Sequence, residues 1–335
     1  MCATLASAAC HKTIDPAESN NPVGFRAMSQ ASWVDPAPAT KAGSLATDDF
    51  GVWGIARQGS LIYNLWDNNE LMDVDKNTTT GNYEPNKPAY WFKGYTYTFL
   101  AIAPHFEDDE EFSLTPITPS TTSAADVMTF TFDLSDRYKD GDYYFDLLGA
   151  AAQTHVDSGD YSTAQTLKFW HLLSQIEITN IGFASGINGR VDKIVLKSLP
   201  SAVYTVAYDN SSNNRTKPTG ISCDEITVDS NGAPADKHYA TFVNPNFTNS
   251  HLIVNIIPQA VSHLELYIDF TITQDTITDE YKDFKINLNA QELTEYVYNG
   301  KYNWSITIGT RNSISFDVSV TPWQDAAVSE EYPLS

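Results

Sequence analysis

The stretch from Tyr302 to Trp323 constrains the fold more than any other part of this sequence. Two segments of it alternate apolar and polar residues with a period of two, on either side of the short connection 309–313. The apolar residues are Tyr302, Trp304, Ile306 and Ile308 in the first segment, and Ile314, Phe316, Val318 and Val320 in the second. This period predicts two paired strands, each with one buried and one exposed face. A hairpin cannot bury its apolar side alone, so it requires a second sheet, from this chain or from another copy.

The rest of the chain consists of similar short apolar segments separated by turn residues, such as the Asn299-Gly300 pair. The strands predicted in the first half are 50–55, 61–65, 90–92, 95–100, 128–134 and 143–150, with a weak extended segment at 23–28. Those in the second half are 167–178, 193–196, 202–208, 223–228, 239–243, 252–257, 263–273 and 284–288. The clearest central strand is 263–273. Strands of this length without long helices predict an all-β protein of Greek-key β-sandwiches.

The length and the local composition predict four parts. A chain of 335 residues is long for one core, so we expect two domains, 46–162 and 163–335, the second with a terminal hairpin and a short tail. Residues 11–45 are rich in Pro, Ala, Ser and Asn and are predicted to form a linker or a removable N-terminal strand. Residues 1–10 place small residues before Cys10, as the end of a lipoprotein signal does. Either the sequence begins downstream of the true start, or this is an ordinary N-terminus.

The acidity of the chain excludes one class of partner. It holds 42 Asp and Glu residues against 20 Lys and Arg, a net charge of -22. Such a charge repels phosphate backbones, so nucleic acid is excluded as the main partner. The sequence has no apolar run of about 18 residues that would span a membrane. Its three cysteines, Cys2, Cys10 and Cys223, indicate neither a disulfide framework nor a metal cluster.

Catalytic motifs are absent from the sequence. It contains no Gly-x-Ser-x-Gly elbow, phosphate loop, dinucleotide fingerprint or His-Glu-x-x-His. The seven histidines are scattered, and His171, among apolar residues, is predicted to be structural. We therefore predict neither an enzyme nor a cofactor. A pair of carboxylates for glycoside hydrolysis stays open as an alternative, because its test is spatial.

Two further patterns each have a functional and a structural interpretation. Asp73, Asp75, Asn77 and Glu84 match the ligand spacing of a calcium loop, but Thr78 stands where that loop needs glycine, so a polar loop is favoured. The aromatic residues Trp53, Trp66 and Trp91 have the chemistry to stack on sugars, but aromatic residues of alternating strands are usually core.

A series of motifs in this order resembles the fimbrillins, the type V pilins of the Bacteroidia and their Mfa-like relatives. The motifs are the leader ending in Cys10, Lys41-Ala42 before FGVWGIA (50–56), YTYTFLAIAP (95–104), LKFWHLLSQIEI (167–178), NGKY (299–302) with the strand 304–308, and the segment 314–323 ending in VTPW. Each motif alone is weak, but their order and spacing together extend the resemblance over nearly the whole chain.

This resemblance implies two tandem transthyretin-like β-sandwich domains and a fimbrial subunit that serves cell adhesion. It implies export as a lipoprotein, with the lipid on Cys10 in the outer membrane. A trypsin-like protease would then cut after Arg26 or Lys41 and remove an N-terminal strand. The groove left open would take a C-terminal strand of the next subunit, for which the candidate residues are Ile314, Phe316, Val318 and Val320. The same strand has the pattern to close its own domain instead.

The partners implied are other fimbrial subunits, the processing protease and a ligand on a host or bacterial surface. The alternative is a monomeric surface lipoprotein or fimbrial tip adhesin, which captures a glycan or a protein through loops such as 67–83 or 208–220.

Overall fold

The structure, a computed structural model, describes residues 21–29, 49–66, 71–106, 111–117, 119, 126–157, 162–208, 222–225, 238–247, 251–274, 276–288, 293–309 and 314–322. The first-half strands are β1 (Phe25–Ser29), β2 (Asp49–Gln58), β3 (Leu61–Asn64), β4 (Met72–Lys76), β5 (Tyr83–Pro85), β6 (Thr96–Ala103), β7 (Phe112–Leu114), β8 (Val127–Asp133), β9 (Leu148–His155) and β10 (Gln165–His171). The others are β11 (Ser174–Phe183), β12 (Asn188–Ser198), β13 (Ser201–Ala207), β14 (Ser222–Glu225), β15 (His238–Val243), β16 (Leu252–Ile256), β17 (Gln259–Ala260), β18 (Glu265–Gln274), β19 (Ile277–Ile286), β20 (Glu295–Tyr296), β21 (Gly300–Ile308) and β22 (Ile314–Pro322).

The all-β prediction is confirmed. The helical elements of the described residues are short, and include α1 (Ser135–Lys139) and a 3-10 turn (Val261–His263). In this part of the chain no helix is long and apolar enough to cross a membrane.

The largest sheet has eight strands in the order β3-β2-β4-β5-β1-β10-β9-β6, and β2 also pairs with β6. This extra pairing joins β2, β4, β5, β1, β10, β9 and β6 into a closed ring, with β3 attached to β2. We call this barrel-like arrangement the ring. It encloses an inner core, to which Phe50, Tyr97, Phe99 and Phe169 contribute fully buried rings.

Strands β2 and β6 are buried on both faces. On β2, Phe50 and Val52 enter the inner core, whereas Trp53 and Ile55 belong to a second, outer core. The motif FGVWGIA therefore contains a continuous apolar run rather than an alternation, as expected for a strand covered on both sides.

The outer core is shared with the remaining sheets, which have the strand orders β16-β11-β21-β22, β15-β12-β18-β19, β14-β13-β8-β7 and β17-β20. The strand predicted at 263–273 is confirmed as an inner strand, β18, between β12 and β19. Its alternate residues are buried, as the period predicts; they are Leu264, Leu266, Ile268, Phe270 and Ile272.

The terminal hairpin is present as predicted. Strand β21 pairs antiparallel with β22 from Gly300↔Pro322 to Ile308↔Ile314 and parallel with β11 on its other side. Its apolar residues Tyr302, Trp304, Ile306 and Ile308 are buried. Asn299 has a φ of 55° just before β21, a backbone region that asparagine tolerates better than most residues.

Some strand predictions were wrong. Residues 167–178 form two strands rather than one, because the chain leaves β10 of the ring at Leu172 and Leu173, both buried, and enters a different sheet as β11. Residues 90–92 make an isolated bridge, Pro22↔Tyr90, and the strand predicted at 143–150 begins only at Leu148. The short strands β4, β5 and β7, of three to five residues, were not predicted.

Strand pairing also crosses the predicted domain boundary at 162/163. Strand β10 follows the boundary but belongs to the ring, and β8 pairs with β13 from Ser201↔Asp133 to Ala207↔Val127. The division into the domains 46–162 and 163–335 stays a prediction, and so do the tandem sandwiches.

A charged cluster joins three strands of the sheet that contains the hairpin. Glu177 of β11 accepts hydrogen bonds from His251, just before β16, and from Lys301 Nζ of β21 at 2.5 Å. Burial alone would raise the pKa of Glu177, but these hydrogen bonds outweigh it and hold the pKa below its ordinary value of 4.5.

This lowered pKa predicts a pH-dependent effect of Glu177→Gln. A carboxylate with a depressed folded pKa stabilises the protein above its unfolded pKa, and the contribution is lost as pH falls through the folded pKa. We expect Glu177→Gln to lower the free energy of unfolding by about 1–2 kcal/mol near pH 6, and by progressively less towards pH 3. Denaturant titrations across this range test it, with the exposed Glu280→Gln as control. An equal cost at every pH would contradict the assignment.

Candidate functional site

The N-terminal strand β1 occupies a place in the ring between β5 and β10, which we call the β1 slot. It pairs parallel with β10 from Phe25↔Gln165 to Ser29↔Phe169. With β5 it makes a single antiparallel pair, Phe25↔Tyr83. Strand β1 thus closes the ring, and without it β5 and β10 would have no strand between them.

The residues just before β1 extend its attachment on both sides. The Val23 amide donates to the carbonyl of Ala89 at 2.8 Å, and the Trp91 amide donates to the carbonyl of Asn21 at 3.0 Å. On the opposite side the Gln165 amide donates to the Gly24 carbonyl at 2.8 Å. The segment 21–29 is therefore hydrogen-bonded as an inserted strand rather than as a loose N-terminal arm.

Alternate side chains of this segment fill the inner core. Val23 and Phe25 are at most 1% exposed and Ala27 is 8% exposed. The Phe25 ring packs edge-on against Phe50 and Phe99, with centroid distances of 5.9 and 5.1 Å. Burial of these three side chains contributes about 5 kcal/mol of gross apolar stabilisation.

The predicted processing and lipidation residues fall in two places. Arg26 lies on the exposed side of β1, between the buried Phe25 and Ala27, and its backbone is part of the parallel pairing with β10. Lys41 and Cys10 lie outside the described residues.

The candidate donor residues Ile314, Phe316, Val318 and Val320 all lie on β22, in a different sheet from the β1 slot. There β22 pairs with β21 of its own chain in the register Ile306↔Phe316 and Trp304↔Val318. Val318 packs, partly buried, against the outer core. The structure thus places the candidate donor and the candidate acceptor on separate sheets of the same chain.

The calcium-like pattern lies on a hairpin of two strands. Asp73 and Asp75 are on β4 and Glu84 is on β5, and Asn77 donates from Nδ2 to Glu84 Oε1 at 3.0 Å. The Asn77 side-chain oxygen accepts hydrogen bonds from two backbone amides of the turn. Across the described ranges there is no group of three or more His, Cys, Asp or Glu residues that could hold a metal.

The other residues with a possible functional interpretation are mostly core. His171 is fully buried on β10, with Nδ1 2.7 Å from Asp146 Oδ2. Trp53 and Trp91 are at most 2% exposed, and Trp66 donates from Nε1 to the Lys87 carbonyl at 2.8 Å. The described part of the proposed capture loop 67–83 consists largely of β4 and a turn. The other loop, 208–220, falls outside the described residues from 209 onwards.

The sequence analysis missed how completely the side chains of β1 are buried in the ring. The available signal was the alternation of Val23, Phe25 and Ala27 with Gly24 and Arg26. Three apolar positions in a Pro- and Asn-rich region predicted no more than a weak extended segment.

Comparison with known proteins identifies the family. The sequence model of the fimbrillin-like family matches residues 39–323. The chain belongs to the fimbrillin-like family. The family match begins after β1 and ends one residue beyond β22.

Solved structures share the fold of this fimbrillin-like protein. A fimbrial protein from Bacteroides vulgatus has a TM-score of 0.53 and 16% identity, covering 91% of this chain and 100% of the other. A candidate cell adhesion protein from Bacteroides ovatus has a TM-score of 0.52 and 16% identity, covering 93% and 99%. No curated protein matches the chain. Membership of the family places this protein among the fimbrillin-like proteins, which are fimbrial proteins of the cell surface.

Proposed function

We propose that this protein is a precursor fimbrial subunit, in which β1 holds the slot until a strand of another subunit replaces it. The observation that carries the proposal is that β1 closes the ring and buries Val23, Phe25 and Ala27. In the sequence β1 is joined to the rest of the chain only through residues 30–48. One cut in this segment converts β1 from a covalent part of the ring into a bound peptide.

The cut falls after Lys41 in this scheme. Proteases bind an extended segment that is free of other pairing, and the backbone at Arg26 is already paired with β10. Cleavage there would require β1 to leave the slot first. Lys41 follows β1 in the sequence, so cleavage after Lys41 leaves β1 intact and bound in the slot.

The same N-terminal segment then carries the lipid and occupies the β1 slot. Cys10, the proposed lipidation site, precedes β1 in the chain. After cleavage at Lys41 the subunit remains on the outer membrane for as long as β1 stays in the slot. Exchange of β1 for a partner's strand would both extend the fimbria and release the subunit from its anchor.

The incoming strand belongs to the C-terminal region of another copy or of a related subunit. Ile314, Phe316, Val318 and Val320 supply the alternation that the slot requires. In the precursor β22 completes its own sheet. To be donated, β22 would have to separate from β21, with which it forms nine residue pairs from Gly300 to Ile308.

Limited trypsin digestion of the purified precursor tests the proposal. We expect a new N-terminus at Ala42, followed by ladders of oligomers that resist SDS without heating. Lys41→Gln should prevent both, whereas Arg26→Gln should prevent neither. A chain that is cut after Lys41, loses β1 and stays monomeric at high concentration would contradict the proposal and favour a monomeric adhesin.

A disulfide variant separates cleavage from strand release. Arg26 and Thr166 are paired neighbours on the outer side of β1 and β10. In a chain with Cys2, Cys10 and Cys223 replaced by serine, Arg26→Cys with Thr166→Cys should pin β1 in the slot. We expect the oxidised variant to be cut but to form no ladder, and reduction to restore assembly.

A further inference from the structure

Strand β19 forms one edge of the sheet β15-β12-β18-β19. It pairs antiparallel with β18 from Gln274↔Ile277 to Leu266↔Ile286. Among the strands of the described residues, none pairs with the other side of β19. An edge strand of ten residues offers a row of backbone amides and carbonyls with which a further strand can pair.

A β-bulge changes the direction of the side chains near the middle of β19. Tyr281 and Phe284 are three positions apart, yet both pack against Phe270 of β18, with ring centroid distances of 4.6 and 5.8 Å. They therefore point to the same face of the sheet, whereas residues three positions apart on a regular strand point to opposite faces. Between them Lys282 and Asp283 are both exposed, and β18 contributes a single residue opposite this pair.

The segment 280–285 is complementary to itself when two copies of it run antiparallel. We place the two-fold axis between residues 282 and 283. The opposed residues are then Glu280 and Lys285, Tyr281 and Phe284, and Lys282 and Asp283. Each pair occurs twice by symmetry, and pairs of opposite charges and of aromatic rings are those that stabilise neighbouring strands. The flanking pair, Asp279 with Ile286, brings no like charges together.

The bulge is what permits this register. Residues that lie directly opposite each other on antiparallel strands point their side chains to the same face of the sheet. On a regular strand Tyr281 could not oppose Phe284 of a second copy, because the two would point to opposite faces. A bulge usually hinders further pairing at an edge, but here two identical bulges lie opposite each other across the axis and match.

The local balance of charge makes this edge suitable for a second copy. Two chains with a net charge of -22 repel each other, but the segment 280–285 carries two acidic and two basic residues, all exposed. Lys285 already donates to Glu265 at 2.8 Å. Its side chain is 54% exposed and its ammonium group has three N–H donors, so it can also pair with a carboxylate of a second copy.

We propose that β19 pairs two copies of this protein edge to edge, so that two four-stranded sheets join into one sheet of eight strands. The partner is β19 of the second copy, in the register that opposes Glu280 to Lys285. Such a short edge contact is smaller than a standard interface, so we expect a dissociation constant on the order of 100 μM and a monomer at low micromolar concentration.

In a polymer the same contact acquires a larger effect. Many weak pairs between two fimbriae act together, so they would hold the fimbriae side by side. This consequence rests on the polymerisation proposed above, whereas the pairing of β19 does not.

Sedimentation velocity of the uncleaved protein, between about 10 and 500 μM, tests the pairing around its expected dissociation constant. Glu280→Lys and Lys285→Glu each oppose like charges twice, so each should weaken self-association about tenfold. An equal mixture of the two variants opposes unlike charges again and should regain the association of the wild type. Because this recovery requires both variants to be folded, misfolding cannot imitate it.

Two control variants separate the pairing from the overall charge. Glu295→Lys and Lys93→Glu change the net charge by the same amounts at exposed positions outside β19. Their mixture should associate no more tightly than either variant alone.

Disulfide trapping tests the register without any charge reversal. In a chain with Cys2, Cys10 and Cys223 replaced by serine, Glu280→Cys mixed with Lys285→Cys should give a cross-linked heterodimer on oxidation, because Cβ atoms of opposed residues lie about 5 Å apart. Either variant alone should cross-link far less, since five positions along the strand, roughly 16 Å, separate its own cysteines across the axis.

Three outcomes would overturn the proposal. They are a protein that stays monomeric over the whole concentration range, self-association that neither charge variant weakens, and mixtures that behave as their separate components do. The second would assign the contact between copies to another surface. None of them bears on strand exchange, because β19 lies outside the ring and outside the sheet of β22, and a non-covalent pair of β19 strands should not survive SDS.

Discussion

Replacing Phe25 with alanine is expected to lower the free energy of unfolding by about 3–5 kcal/mol. The Phe25 ring is fully buried at the centre of an aromatic cluster, against Phe50 and Phe99. Its removal leaves a cavity in the inner core at the point where β1 closes the ring. Denaturant unfolding followed by tryptophan fluorescence measures the cost.

The neighbouring residue provides a matched control for this variant. Arg26 lies on the same strand but is exposed, so Arg26→Ala should change stability by no more than about 0.5 kcal/mol. Hydrogen exchange adds a local readout, because weaker seating of β1 should expose the amides of β10 while those of β18 stay protected. Equal effects of the two substitutions would show that β1 does not depend on the inner core for its position.

Removal of Asp126 is expected to have the second large effect. Asp126 precedes β8, and its carboxylate receives both terminal nitrogens of Arg57 from β2, with Nη1 2.6 Å from Oδ2. The Asp126 side chain is 3% exposed and that of Arg57 is 19% exposed. This pair joins the ring to the sheet β14-β13-β8-β7. Asp126→Ala should lower the free energy of unfolding by about 3 kcal/mol, because it leaves the charge of Arg57 largely buried without its counter-charge.

A double substitution tests whether the cost of losing Asp126 arises from its interaction with Arg57. Arg57→Met with Asp126→Leu should cost less than the sum of the two single alanine substitutions, because neither charge is then left alone. Lys139→Ala, which removes an exposed pair with Asp136, is the control and should leave the stability essentially unchanged. Additive costs for the buried pair would contradict a direct interaction between Arg57 and Asp126.

The candidate site could be predicted from the sequence only in outline. The resemblance of scattered motifs indicated a removable N-terminal strand, with cleavage after Arg26 or Lys41. It also indicated a donor strand, for which the residues of β22 were the candidates. The position of β1 between β5 and β10 could not be predicted, because its partners Tyr83 and Gln165 are 58 and 140 residues away from Phe25 in sequence. Nothing in a five-residue strand specifies which of many other strands it will join.

What the sequence determined by itself was the β character of the chain, the central strand β18 and the terminal hairpin. In these elements a period of two assigns every residue to a face, and only five residues of the sequence separate β21 from β22, so the pattern specifies the structure without distant partners. Only the tertiary structure decided the closure of the ring by β1, the change of sheet at Leu172 and Leu173, and the pairing of β8 with β13. The physical reason is that strands of similar composition compete for the same hydrogen bonds. Which of them pair depends on how well their side chains fill a common core, and that is a property of the whole chain.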